Sequence, residues 1–189
     1  MKICVLFLFL LIASVSFSQK NNSFKPSFRL ITSGGMAIGQ KKISPLFQVI
    51  LGFYYHRFSA GIGAGYDDYR FHSIPLFADM RFNFGRNDVS FIYADLGYNF
   101  PFKISRQTDA FKTSDIYKGG FYGDFGMGFK MFTHRRHALL FSAGYSIKDI
   151  RNIQGYTNNW REPGTEDTFY KYYYSMGRIV SKLSWQFGR

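Results

Sequence analysis

The chain has 189 residues, a formal net charge of +12, 21% aromatic residues and one cysteine, Cys4. That length suits one domain, and a single cysteine excludes an internal disulfide. The basic balance invites a nucleic-acid reading, but Lys and Arg are scattered along the chain rather than gathered in a stripe. Anionic lipid headgroups are the expected counter-charge, and nucleic acid is not an expected partner.

Met1 and Lys2 make a short positive start, and residues 3–12 form an unbroken apolar run. Small residues follow, with Ser16 and Ser18 at −3 and −1 of a cut before Gln19. Residues 1–18 are therefore expected to be a cleaved signal peptide for Sec export, because the run is shorter than the ~20 residues a spanning helix needs. Cys4 leaves with it, so the mature domain at 19–189 has no thiol chemistry.

From there the chain shows eight candidate strands. The first, at 28–39, has ambiguous parity because Ser33, Gly34 and Gly35 interrupt it. The second, 46–55, sends Phe47, Val49, Leu51, Phe53 and Tyr55 to one face. The third, 58–67, does the same with Phe58, Ala60, Ile62, Ala64 and Tyr66. The fourth, 75–84, sets Leu76, Ala78, Met80 and Phe82 against Asp79, Arg81 and Asn83. Pro75 is tolerated at a strand's first residue.

The fifth, 89–100, sets Ile92, Ala94, Leu96 and Tyr98 against Tyr93, Asp95 and Asn99. In the sixth, 119–131, Phe121, Phe125, Met127 and Phe129 oppose Tyr122, Asp124 and Lys130. The seventh, 137–148, shows Leu139, Phe141, Ala143, Tyr145 and Ile147 on one face. The eighth, 177–187, sets Ile179, Leu183, Trp185 and Phe187 against Arg178, Val180, Lys182 and Ser184.

A strand sends alternate side chains to opposite faces. Here the charges share one face and the apolar residues the other. A charge facing lipid at the bilayer midplane costs roughly 2–4 kcal/mol for Arg or Lys, so the apolar face is expected to meet lipid and the charged face a lumen. The connections at 55–57, 85–88 and 133–136 are short, whereas those at 101–118 and 149–175 are long. The expected fold is all-β: an eight-stranded antiparallel up-and-down transmembrane barrel with short periplasmic turns, longer extracellular loops and both termini periplasmic. A soluble lipocalin-type barrel, also eight-stranded, would show the reverse pattern, with an apolar lumen and polar exterior.

Residues 73–84, 91–100, 118–130 and 182–187, with their repeated aromatic–small–charged alternation, resemble the small outer-membrane β-barrel proteins of the eight-stranded OmpA/OmpX kind. The resemblance covers about 28–187 and implies the barrel architecture, a place in the outer membrane and recognition by the outer-membrane assembly machinery. Members of that family usually end in an aromatic residue. Here Gly188 and Arg189 follow Phe187, and Trp185 and Phe187 are expected to serve as the insertion signal.

Gly61, Gly63 and Gly65 recur every second residue within a strand, which suits small residues beside filled lumen space rather than a phosphate loop. Asp79, Arg81, Asp95, Asp124, Lys130, Arg178 and Lys182 are expected to form a mixed-sign structural network in the lumen, leaving no wide pore. No catalytic residue, metal or cofactor is assigned: His134 and His137 share a turn without a completing ligand. His72, Ser73 and Asp67 with Asp68 raise the alternative of an outer-leaflet enzyme acting on lipid A. That alternative is weakened because adjacent strand residues point apart. The long loops are the candidate binding surface, through Tyr156, Trp160, Tyr170, Tyr172, Tyr173 and Tyr174. The expected partners are outer-membrane lipids, the assembly machinery and an extracellular ligand, for a monomeric protein.

Overall fold

The computed structural model describes residues 26–39, 42–69, 71–102, 112–156 and 168–188. The expected signal peptide at 1–18 lies outside the described residues. Eight strands follow in chain order: β1 Ser27–Ile38, β2 Ile43–Tyr55, β3 Phe58–Asp67, β4 Ser73–Phe84, β5 Ser90–Pro101, β6 Lys112–His134, β7 His137–Tyr156 and β8 Thr168–Phe187. Each pairs antiparallel with its sequence neighbour, and β1 closes on β8 from Leu30↔Phe187 to Ile38↔Ile179. Closure satisfies the backbone groups that an open edge would leave bare in hydrocarbon.

The alternation places side chains as expected. Ile62, Met80, Met127 and Ile179 are exposed on the outer wall at 72%, 62%, 67% and 60%, and Val49, Leu76, Ile92 and Leu183 share that wall. Asp79, Asp95 and Asp124 point inward and are fully buried. An apolar belt that runs round all eight strands is of a kind that monomeric soluble proteins rarely present to water. Hydrocarbon is its matching solvent, and the reverse pattern of a soluble barrel is absent.

The register settles β1. Arg29, Ile31, Ser33 and Ala37 face the lumen, whereas Phe28, Met36 and Ile38 face out. The lumen is not purely polar as expected. Ile31, Ile50, Phe77, Phe91, Tyr93, Tyr122, Ala138 and Leu140 pack together inside it. Glycine makes room for them: a Cβ on Gly63 would sit 2.5 Å from Phe77, and one on Gly128 would sit 2.5 Å from Phe91.

The three last strands are longer than their apolar alternation suggests. β7 pairs with β8 from His137↔Phe187 to Tyr156↔Thr168, and β6 follows β7 out to Lys112↔Tyr156. Neighbouring β5 and β1 stop pairing at Gly120 and Ile179. Much of what reads as loop at 101–118 and 149–175 is thus a three-stranded sheet that continues beyond the barrel rim. A register shift between Gly119 and Tyr122 marks where it leaves the wall, the usual effect of a bulge. Beyond the belt both faces of that sheet lack lipid, so the alternation that identifies the lower strands fades.

Candidate functional site

Two ion clusters fill the lumen. In the first, register sets Asp79 opposite Asp95, and Asp95 opposite Asp124. Three like charges side by side repel, so cations must sit among them. Arg29 and Arg81 both engage Asp79, Arg81 through Nε at 2.8 Å. Lys182 donates to Asp124 at 2.9 Å and approaches Asp95 at 3.7 Å. Tyr93 also donates its hydroxyl proton to Asp124, at 2.9 Å. Lys182 donates further to Gln48 at 3.2 Å, and Gln48 donates to the Tyr122 hydroxyl at 3.0 Å.

The second cluster sits under the β3–β4 loop. Arg178 pairs with Asp67, and Lys148 lies 3.3 Å from the same carboxylate oxygen. Lys148 donates to the carbonyl oxygens of Tyr69 and Phe71 at 3.2 and 3.0 Å and to the Ser73 hydroxyl at 2.9 Å. The Arg178 guanidinium lies 5.4 Å from the Tyr69 ring centroid. Above it, Tyr69, Ile150 and Met176 pack with Phe71, Tyr117 and Tyr174. The β3–β4 loop is therefore drawn over the lumen and held there by groups from β7 and β8.

Of the residues singled out from the sequence, Asp79, Arg81, Asp95, Asp124 and Lys182 meet in the first cluster and Arg178 in the second. Lys130 is half-buried at the short-turn mouth and lines a cavity there together with Arg29 and Arg81. Another register shift, between Lys130 and Phe132, lies beside it near the hairpin end of the ladder. Arg29 and Lys148 were not singled out, although both are buried charges. Arg29 hides in the interrupted first strand, and Lys148 ends the seventh strand's apolar alternation. A basic residue on inward parity was the available signal for each.

His72 and Ser73 do take opposite faces. Ser73 is fully buried beside Lys148, while His72 is partly exposed with Nδ1 2.7 Å from Asp68 and 2.9 Å from the Tyr66 hydroxyl. Ser73 therefore does not join His72 at the rim as the lipid A alternative requires. His134 and His137 are register partners closing the β6–β7 hairpin.

On the extended sheet Tyr170, Tyr172 and Tyr173 are exposed at 51%, 41% and 69%. Arg151 lies over the Tyr173 ring at 5.5 Å, and the Tyr172 and Tyr174 rings stack at 6.4 Å. Tyr174 turns partly inward, with its ring 5.5 Å from Phe71. The backbone of Tyr156 pairs with Thr168, and Trp160 lies outside the described residues.

A closed antiparallel eight-stranded barrel with a lipid-matched wall and a charged interior is the architecture of the small outer-membrane barrels. Solved members of that class are similar in fold. The N-terminal β-barrel domain of Pseudomonas aeruginosa OprF aligns with 87% of this chain and 100% of its own, at 13% identity and a TM-score of 0.55. OprG from the same organism aligns with 87% of this chain and 97% of its own, at 10% identity and 0.55. The outer membrane protein AlkL aligns with 92% and 95%, at 8% identity and 0.51. No protein-family model and no curated protein matches the chain.

Proposed function

We propose that the protein is a non-enzymatic outer-membrane barrel that does not conduct through its lumen and presents the extended β6–β8 sheet as a binding surface. The observation that carries this reading is the filled interior. Arg29, Asp67, Asp79, Asp95, Asp124, Lys148, Arg178 and Lys182 are each at most 2% exposed, and they sit in two ion clusters where a pore would run. Eight strands enclose space only just wide enough for side chains. The exposed tyrosines at 170, 172 and 173 suit a binding role, because aromatic side chains bury area at low entropic cost.

On this reading residues 1–18 direct Sec export and are removed, and 19–189 form the monomeric barrel. The short turns and both termini face the periplasm, with the extended sheet outside. Outer-membrane lipids surround the wall, the assembly machinery reads Trp185 and Phe187, and nucleic acid is not a partner. The test is planar-bilayer recording of the refolded full chain, beside a binding assay of cells that carry it. The account expects no stepwise conductance, and loss of surface binding when Tyr170, Tyr172 and Tyr173 become serine. Stable conductance steps would remove the sealed-lumen half of the proposal. Unchanged binding by the serine variant would remove the other half.

A further inference from the structure

The end of the barrel that carries the short turns holds a cavity of about 460 Å³. That volume is in the range of small-molecule pockets, roughly 300–1,000 Å³. Its wall gathers cations from several strands: Arg29 and Arg81 inside, and Lys130, Arg135 and Arg136 from the β6–β7 hairpin. Asp88 is the one acid among the described residues of that wall, and its carboxylate is met by Arg57 at 3.4 Å. Behind the wall, Arg29 and Arg81 share one carboxylate, that of Asp79. Among the described residues of this wall, cations outnumber acids.

The buried cations are fixed rather than floppy. Arg81 is 6% exposed, spends Nε on Asp79, and lies 5.4 and 5.7 Å from the ring centroids of Phe91 and Tyr93. Its two Nη groups form the fork that suits two oxygens of a phosphate. Phe91, Ala138 and Leu140 supply an apolar patch on the same wall. The structural role of Arg81 explains its bond to Asp79. It does not explain why Arg135 and Arg136 also line the cavity.

We propose that this cavity binds a small phosphate-bearing organic anion, with the phosphate on Arg81 and the rim cations and a compact apolar body against Phe91 and Leu140. The surplus of cations over acids favours a phosphate dianion over a carboxylate. The phosphate has two sources, a soluble phosphomonoester or the headgroup of a lipid.

Isothermal titration of the full chain, folded in a phosphate-free maltoside detergent, separates them. One arm uses phenyl phosphate and the other dihexanoyl phosphatidic acid. Saturable binding in the phenyl phosphate arm is expected. It should weaken about tenfold or more in Arg81→Gln. Because Arg81 also braces Asp79, an Arg135→Gln/Arg136→Gln rim variant is titrated beside it, with heat-modifiable gel migration reporting its fold. The folded rim variant should also lose most of the affinity. Binding in the lipid arm alone, and sensitive to the rim variant, assigns the phosphate to a headgroup. No saturable heat in either arm, or equal binding by the folded rim variant, overturns the proposal.

Discussion

Arg178 of β8 and Asp67 of β3 meet across the lumen as an ion pair in which both side chains are completely buried. They stand 111 residues apart in sequence, so the pair ties the last strand to the first half of the barrel. Removing one partner of such a pair strands a charge in low dielectric, at a cost of about 3–5 kcal/mol. Asp67→Asn should lower barrel stability by that order in urea unfolding from lipid vesicles. A double variant, Asp67→Asn with Arg178→Met, should recover the part of the loss that comes from Arg178, while Lys148 still lacks its carboxylate. Equal stability of Asp67→Asn and the parent would show that the pair is not structural.

Lys148 holds the β3–β4 loop through two carbonyl oxygens and the Ser73 hydroxyl. Lys148→Met keeps the length of the stem and removes those donors. Hydrogen exchange at Tyr69, Phe71 and Ser73 is expected to speed up in that variant while β4 and β5 stay protected. Unchanged exchange in the loop would mean that its aromatic packing alone keeps it in place.

Gly63 has no room for a side chain, because a Cβ there would meet Phe77 at 2.5 Å and Ile50 at 3.0 Å. Both obstacles are side chains rather than backbone. Gly63→Ala should therefore cost about 1–3 kcal/mol by overpacking, and Phe77→Leu should relieve part of it. A double-mutant cycle in the same unfolding assay measures the coupling. Strict additivity would contradict the packing account.

Depth on the outer wall gives a further prediction. Ile62→Arg places a charge at mid-wall and should cost about 2–4 kcal/mol, whereas Ile43→Arg, at the first residue of β2, should cost about 0–1 kcal/mol. Similar costs at the two sites would argue against a lipid-facing belt.

The barrel was largely legible because lipid makes the two faces of a strand chemically opposite. Asp79 with Arg81, Asp124 with Lys130 and Arg178 with Lys182 each keep one parity within a strand, and the turns supply the strand count. The inward parity of Arg29 is obscured because Ser33, Gly34 and Gly35 interrupt the alternation of the first strand. The inward Ile50, Phe77, Phe91 and Leu140 weaken any rule that the lumen side is polar. Above the belt the contrast between faces disappears, so Asn152 and Gln154 look like loop although they pair with Tyr172 and Tyr170. Ion partners across the lumen, such as Arg178 with Asp67, depend on the closed curvature, which no local pattern encodes.

The direction each face takes can be measured directly along β8. Single cysteines are placed at each position from 178 to 187 in a background lacking Cys4, spin-labelled, and the full chain is folded into vesicles. Accessibility to oxygen, which concentrates in lipid, is then compared with accessibility to a water-soluble nickel chelate. The account predicts a period of two: high oxygen access at Ile179, Ser181, Leu183 and Trp185, and low access to both reagents at Arg178, Val180, Lys182 and Ser184. Strong nickel access at Ile179 and Leu183, or no alternation along the strand, would contradict a lipid-facing wall around a filled lumen.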